Sequence, residues 1–384
     1  MDKPMRILHT SDWHLGRQFY GQSLEADHEA ILEQVFDAIV ANKVGALIIA
    51  GDIYDRASPP ATAVRQFNNF VKRVVSETKA AIVFIAGNHD SGDRIGSMGI
   101  IADANRALIR GPLMPDEPPL LLEDEHGTVA FSALPFGYEF AARDCFGVTD
   151  IDSPSDVIVA QIDAAKKNVP DGARWVVTAH AWVSGASPSE SERSLGRTVG
   201  GVETVSASLF EGAHYVALGH LHRPQYIEAD HIRYSGSPLA FGFDESDTEK
   251  SMSLIDMDES GATTLTEIAF KPIRQVRTLR GKLSDLLASG TASDDFIKVV
   301  LTDEARLIDP MKQMRGLYPN ASALSYERDE TPHDVEVRDT VTAALTKPSE
   351  VIDEFLTHVR GAPKSEPEAV IIDASLAKLS DGEI

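Results

Sequence analysis

Asp12 and His14 stand two residues apart in SDWH, and Asp52 follows the glycine of GDIYD. Asn88 and His89 follow in GNHD. His180 stands alone in TAHAW, and His220 and His222 close the series in GHLH. Carboxylate, imidazole and amide oxygen are the donors that borderline-hard divalent metals accept. One metal takes about four to six of them, and this set is large enough for two metals that share a carboxylate. Singly, such residues are ordinary turn formers, and His180 by itself carries no signal. Their succession in one chain is what points to a metal site. In extended chain, residues i and i+2 face the same way, so D-x-H and H-x-H are expected to aim both side chains into one pocket.

Each group ends an apolar run. RILHT precedes SDWH, ALIIA precedes GDIYD, AIVFIA precedes GNHD, WVVTA precedes HAW, and YVAL precedes GHLH. Runs of this length read as strands buried on both faces. Helical patterns lie between them. Ile31, Leu32, Val35, Phe36 and Ile39 recur at helix spacing in 25–41, as do Val64, Phe67, Val71 and Val74 in 60–75, after a Pro59-Pro60 entry. The pattern predicts an α/β layered domain with its functional groups in the loops after the strands. After about Lys271 the rhythm becomes that of a small α+β module: a strand in DFIKVVLTD, a short helix over 308–317, and a strand in ASALSYERD. Val351, Ile352, Phe355, Leu356 and Val359 then form one helical stripe. The last twenty or so residues read as polar and loose, and the Ser/Gly-rich loop 184–201 as mobile.

The 384-residue chain carries a net charge of −23. Up to Phe270 there are 21 basic and 39 acidic residues, a net of −18; beyond it there are 15 and 20, a net of −5. Neither part is basic, so any grip on a polyanion must come from bound cations, local Arg and Lys, or a partner. The single cysteine, Cys145, excludes an internal disulfide and points to a reducing compartment. Neither a signal peptide nor a membrane span is legible, so a cytoplasmic protein is expected.

The order D-x-H, GD-x-x-D, GNHD, single His, GH-x-H resembles that of the calcineurin-like metallophosphoesterases. ILHTSDWHLGRQFY, AGDIYDRASPP, AGNHDS, ALGHLHRPQ and RYSGSP resemble one branch of it more closely. That branch is the SbcD family, bacterial nuclease subunits that work with an SMC-like ATPase in DNA-break processing. The similarity covers roughly residues 5–245. It implies a layered β-sandwich metallophosphoesterase (nuclease) domain over 1–270, flanked by helices. It further implies a DNA-capping α+β domain over 271–330, a linker over 331–347, a partner-docking helix over 348–361 and a flexible tail over 362–384. The implied activity is metal-dependent cleavage of DNA, exonucleolytic on double strands and endonucleolytic on single strands. Implied partners are DNA and an SbcC-like ATPase, with a homodimer inside a heterotetramer; helix 60–75 is one candidate dimer surface. The same metal core would also serve a small-molecule phosphodiesterase or phosphatase. A silent scaffold could afford gaps in the ligand set, and none is present.

Carried onto matching positions, the family scheme gives one metal to Asp12, His14, Asp52 and His222, and the other to Asp52, Asn88, His180 and His220. Two divalent ions are implied, manganese above all. His89 is implied as the general acid, and Asp55 as the group that orients it. Asp90 reads as a loop-shaping residue. Trp13, Phe19 and Tyr20 are candidate stacking surfaces for nucleotides, and Arg17 a candidate phosphate contact. His9, His28, His126, His214, His231, His333 and His358 hold no motif position and read as structural or surface residues.

Overall fold

The computed structural model describes residues 4–192, 204–330, 349, 352–353, 355–357 and 363–380. The strands of the first part are β1 (Met5–Thr10), β2 (Gln18–Phe19), β3 (Gln22–Ser23), β4 (Ala46–Ile49), β5 (Ala81–Ile85), β6 (Ala107–Arg110), β7 (Leu120–Asp124) and β8 (Gly127–Leu134). They are followed by β9 (Arg174–His180), β10 (Tyr215–Gly219), β11 (Gln225–Ile227), β12 (Ala229–Tyr234), β13 (Ser251–Met257) and β14 (Thr263–Ala269). One sheet has the order β14-β13-β1-β4-β5-β6, and a second has the order β11-β12-β10-β9-β8-β7. Within the first, β1, β4, β5 and β6 run parallel. Within the second, β8, β9, β10 and β12 do the same.

The apolar runs explain the layering. In β4, Ala46 and Ile48 enter the core between the sheets while Leu47 and Ile49 face the other way. In β10, Tyr215 and Ala217 point between the sheets, and Val216 and Leu218 point outward. Strands with both faces covered need apolar residues at every position. The outer cover of the first sheet comes from α1 (Glu25–Asn42) and α2 (Ala61–Glu77), through Val35, Ile39, Phe67 and Val74. Beyond α3 (Gly92–Ser97) and α4 (Glu139–Phe146), helix α5 (Pro154–Lys166) covers the second sheet with Ile158, Ile162 and Ala165. The result is a four-layer helix–sheet–sheet–helix sandwich.

A polar tie joins the sheets where β1 begins. The Asp124 carboxylate accepts the Met5 N–H at 2.6 Å and bonds twice to the Arg174 guanidinium. Arg174 also donates to the Asp258 carbonyl at 3.1 Å. Both partners of this ion pair are nearly inaccessible to solvent.

Beyond the sandwich, β15 (Val276–Gly281), β16 (Phe296–Leu301) and β17 (Ala321–Tyr326) form a parallel sheet. It packs with α6 (Leu283–Ser289) and α7 (Pro310–Met314) around Ile297, Val299, Leu301 and Met314. This module does not stand apart at residue 270. Phe296 lies against Phe19 at 4.7 Å between ring centroids, and Arg274 pairs with the buried Asp27. Residues up to Glu327 therefore hold together as one compact unit, and Arg328–Ile384 form another. In the second unit, Ser349, Ile352, Asp353 and 355–357 are helical, and Phe355 is 62% exposed. Val351 and Val359 of the expected stripe lie outside the described residues, as does all of the expected linker 331–347. The tail expected to be loose over 362–384 instead contains a helix, Glu366–Ser380. Its start has a local cause. The Glu368 carboxylate accepts from both the N–H and the hydroxyl of Ser365, as in a Ser-x-x-Glu capping box.

Candidate metal centre

The strand ends deliver the donors. Asp12 and His14 follow β1, Asp52 follows β4, Asn88 and His89 follow β5, His180 ends β9, and His220 and His222 follow β10. The loops are laced together by main chain. Asp12 N–H bonds the Gly51 carbonyl at 3.0 Å, and His14 N–H bonds the Asp52 carbonyl at 3.0 Å. The two side chains do not converge through strand pleating, as the i, i+2 argument expected. Asp12, His14, Asp52 and His220 have φ values of 55°, 47°, 49° and 106°. Backbone in this left-handed region costs on the order of 1–3 kcal/mol per residue, and such strain gathers at functional sites. Sharp reversal directly after β1, β4 and β10, not extension, turns these donors inward.

The glycines of GNHD and GHLH make room. A β-carbon at Gly87 would stand 2.2 Å from Asp52 Oδ1, and one at Gly219 would stand 1.9 Å from the Ala50 carbonyl oxygen. Both positions require the missing side chain.

All seven expected ligands are buried or nearly so and meet in one place. His14 Nε2 and His222 Nε2 are 3.2 Å apart. Asn88 Oδ1 lies 2.9 Å from His180 Nε2 and 3.2 Å from His220 Nδ1. Asp52 Oδ2 lies between, 3.7 Å from His14 Nε2 and 3.6 Å from His180 Nε2. Asp12, His14 and His222 each present a ligand atom within 4.8 Å of the others, and so do Asp12, Asp52 and His180. Burial raises the Asp12 carboxyl well above its usual range, and the neighbouring Asp52 charge adds to this. Burial holds His14, His180 and His220 neutral, and the nearby imidazoles reinforce it at His14 and His220.

The donor chemistry fits cations. His180 gives its Nδ1–H to the Ala50 carbonyl at 2.9 Å, so its Nε2 presents a bare lone pair. That lone pair faces the Asn88 oxygen, another acceptor. His222 Nδ1 is engaged by Ser191 Oγ at 2.6 Å, which turns its Nε2 toward that of His14. Acceptors facing acceptors beside two buried carboxylates need positive charge among them, and a divalent metal supplies it.

His89 sits at the edge of this cluster. Its Nδ1 bonds the main-chain carbonyl of Asp55 at 2.8 Å, and its Nε2 lies 4.0 Å from Asp52 Oδ2. Asp55 thus meets His89 through its backbone carbonyl. The carboxylate instead lies 3.7 Å from Arg17 and 3.9 Å from His14 Nδ1. Asp90 shapes the loops: its carboxylate accepts the N–H groups of Ile53, Tyr54 and Gly87 at 2.9–3.0 Å. Burial, aided by Asp52, pushes its carboxyl up to about 7. Trp13 and Phe19 are buried core residues, which leaves Tyr20, 61% exposed, of the three aromatic candidates.

Sequence reasoning missed the groups behind His222. The loop expected to be mobile is anchored through residue 192. Ser191 hydroxyl bridges His222 and Glu245, while Glu192 accepts the His222 N–H at 2.8 Å. Glu245 is fully buried and pairs with Lys250 at 2.5 Å. Burial alone would raise its carboxyl, but His222 and Lys250 outweigh this and hold it well below the usual range. Such outer partners orient a metal-binding imidazole. No spacing in the sequence announces them.

Comparison with known proteins places this geometry. The model of the calcineurin-like phosphoesterase family matches residues 5–224, more than half of the chain. The chain belongs to the calcineurin-like phosphoesterase family. The model described as the type 5 capsule protein repressor C-terminal domain matches residues 270–360. A curated relative, the D component of nuclease SbcCD from Staphylococcus epidermidis, is 28% identical over 340 residues, covering 87% of this chain and 89% of its own. Among solved structures, GAP50, titled the anchor in the inner membrane complex of Plasmodium, aligns at a TM-score of 0.39 with 12% identity, covering 84% of this chain and 97% of its own. As a calcineurin-like phosphoesterase, the protein is a metal-dependent phosphoesterase. Among its described residues, no helix is long and apolar enough to cross a membrane.

Proposed function

We propose that the protein is the nuclease subunit of an SbcCD-like complex, which hydrolyses DNA phosphodiesters in break or hairpin processing. The observation that carries this is the lone-pair cluster of Asp12, His14, Asp52, Asn88, His180, His220 and His222, in a chain similar along most of its length to a nuclease subunit. Asp12, His14, Asp52 and His222 would hold one divalent ion, and Asp52, Asn88, His180 and His220 the other. Bound there, two such ions, manganese by family expectation, would acidify a water and offset charge on the phosphate oxygens. Two carboxylates among neutral donors leave the loaded site net positive, which welcomes a phosphodiester despite the −23 of the whole chain. His89 gives its Nδ1–H to the Asp55 carbonyl and turns Nε2 toward the site, so its imidazolium form, with a proton on both nitrogens, would give the Nε2 proton to the leaving oxygen.

Residues 271–327 would cap the DNA. The helical segment around Phe355 would dock on an SbcC-like ATPase, with two copies of this chain in a heterotetramer in the cytoplasm. An exposed Phe355 supports that docking. The test is incubation of purified protein with labelled duplex and single-stranded DNA, with and without manganese and the ATPase, beside a cyclic nucleotide and a phosphomonoester. Metal-dependent cleavage of DNA is expected. Turnover of the small esters far above that of DNA would move the assignment to a small-molecule phosphodiesterase or phosphatase.

A further inference from the structure

A cleft of about 620 Å³ opens beside the metal ligands, lined among others by Arg17, Tyr20, Phe241, Phe243 and Lys298. One wall belongs to the sandwich, and the other to Thr278, Lys298 and Ala323 of the small sheet. Phe241 marks where it begins: its ring stands edge-on to His14 at 5.2 Å and to His222 at 5.4 Å. The Arg17 guanidinium lies 4.5 Å over that ring. Farther out, Phe243 meets the Tyr20 ring at 5.2 Å. A cleft of this volume is in the roughly 300–1,000 Å³ range of small-molecule sites, room enough for a nucleobase.

Tyr20 is the unusual residue. It occupies the tip of the β2–β3 hairpin with φ 47°, followed by Gly21 at φ 83°. Two left-handed residues at a two-residue tip favour Asn, Asp or Gly. An aromatic side chain there costs backbone energy, and at 61% exposure it recovers little through burial. Strain kept at an exposed aromatic, on the rim of a cleft that reaches the metal ligands, is placed for a ligand.

We infer that this cleft is a subsite for one unpaired nucleobase of DNA, stacked on Tyr20, with Arg17 meeting the phosphate between that base and the scissile bond. The inference rests on the nuclease reading above. Stacking needs only a flat face and tolerates any base, so the subsite favours frayed or single-stranded ends without reading sequence.

The test uses the full chain with manganese, and a short single-stranded oligonucleotide with a cleavage-resistant phosphorothioate backbone, carrying an adenine analogue whose fluorescence stacking quenches. Wild type should bind and quench. Tyr20→Gly should weaken binding on the order of tenfold, as loss of one base–aromatic stack does, and abolish the quench. It should melt no lower than wild type, because glycine relieves the left-handed backbone. Tyr20→Phe should keep both binding and quench. Wild-type binding and quenching by Tyr20→Gly would overturn the inference. So would equal losses in the Gly and Phe variants with a lowered melting temperature, which would make Tyr20 structural. The nuclease reading fails by a separate sign: wild type with manganese that hydrolyses bis(nitrophenyl) phosphate and leaves all unmodified DNA intact.

Discussion

Gly87→Ala should empty the metal site while leaving the fold standing. The new β-carbon would lie 2.2 Å from Asp52 Oδ1 and 2.4 Å from the Asp52 nitrogen, where ordinary contact begins at 3.4 Å. Asp52 must therefore retreat by about 1.2 Å at its carboxylate and about 1.0 Å at its backbone. Metal–ligand distances tolerate only about 0.2 Å. Asp52 is the residue between the two proposed ions, so both lose a ligand, and its bond from the His89 N–H, 2.8 Å long, is broken as well. A displacement of about 1 Å commonly costs on the order of 10²-fold in rate even without loss of metal. The assay is manganese content by elemental analysis after desalting, beside phosphodiester hydrolysis and far-UV circular dichroism. Gly99→Ala is the control, since its β-carbon meets its nearest neighbour at 3.5 Å. A Gly87→Ala protein with two ions per chain and wild-type hydrolysis would refute the close-packing argument.

His89→Ala should keep its metal and lose about 10²–10⁴-fold in kcat, whereas His222→Ala should lower metal occupancy; titration calorimetry with manganese separates the two. Asp55→Asn should slow cleavage less than Asp52→Asn and leave metal content intact, because the carbonyl that holds His89 is unchanged; metal loss equal to that of Asp52→Asn would make Asp55 a ligand. Asp124→Asn breaks a buried pair and should cost about 3–5 kcal/mol in chemical denaturation. Burial would raise the Asp124 carboxyl, but Arg174 and the His126 and Met5 N–H groups hold it below its ordinary value of 3.8. Its contribution is therefore complete above that value and is lost as pH falls through the depressed one, so the deficit of the variant should shrink in acid. Deleting residues 347–384 should abolish co-purification of the ATPase and spare metal-dependent cleavage; full-strength binding by the truncated chain would exclude docking through this segment.

Sequence pattern reached the strands because burial on both faces leaves no polar position in them, as in AIVFIA. It reached the seven donors because each stands directly after such a run. It did not reach their backbone. Left-handed φ at Asp12 and His14 has no signature in residues that also serve ordinary turns, so the pleat stood as the simplest account. The Asp55 contact was legible only as a residue number: the family resemblance pairs Asp55 with His89 without saying which oxygen faces it. Glu245 and Lys250 escaped because they lie in a charged stretch, DESDTEK, and their burial is decided by the loop that folds over them. The Glu366–Ser380 helix was readable in Ser365-x-x-Glu368, but a polar composition outweighed a local start signal.

The seven donors come from both sheets: Asp12, His14, Asp52 and Asn88 from the first, and His180, His220 and His222 from the second. The interface between the sheets is apolar, and apolar contact is non-directional, so it resists separation better than sliding. At the end where β1 begins, the Asp124 tie sets the alignment. At the other end, bound cations would be the clasp. They would close a circuit from Asp12 to His222, and anything bound only by the folded chain adds RT ln(1 + [L]/Kd) to its stability. Metal supply thereby becomes a mechanical variable. A starved protein would keep its layers, still joined at that end by the His180–Ala50 and His220–Asp12 bonds, and would lose only the added hold of the ions.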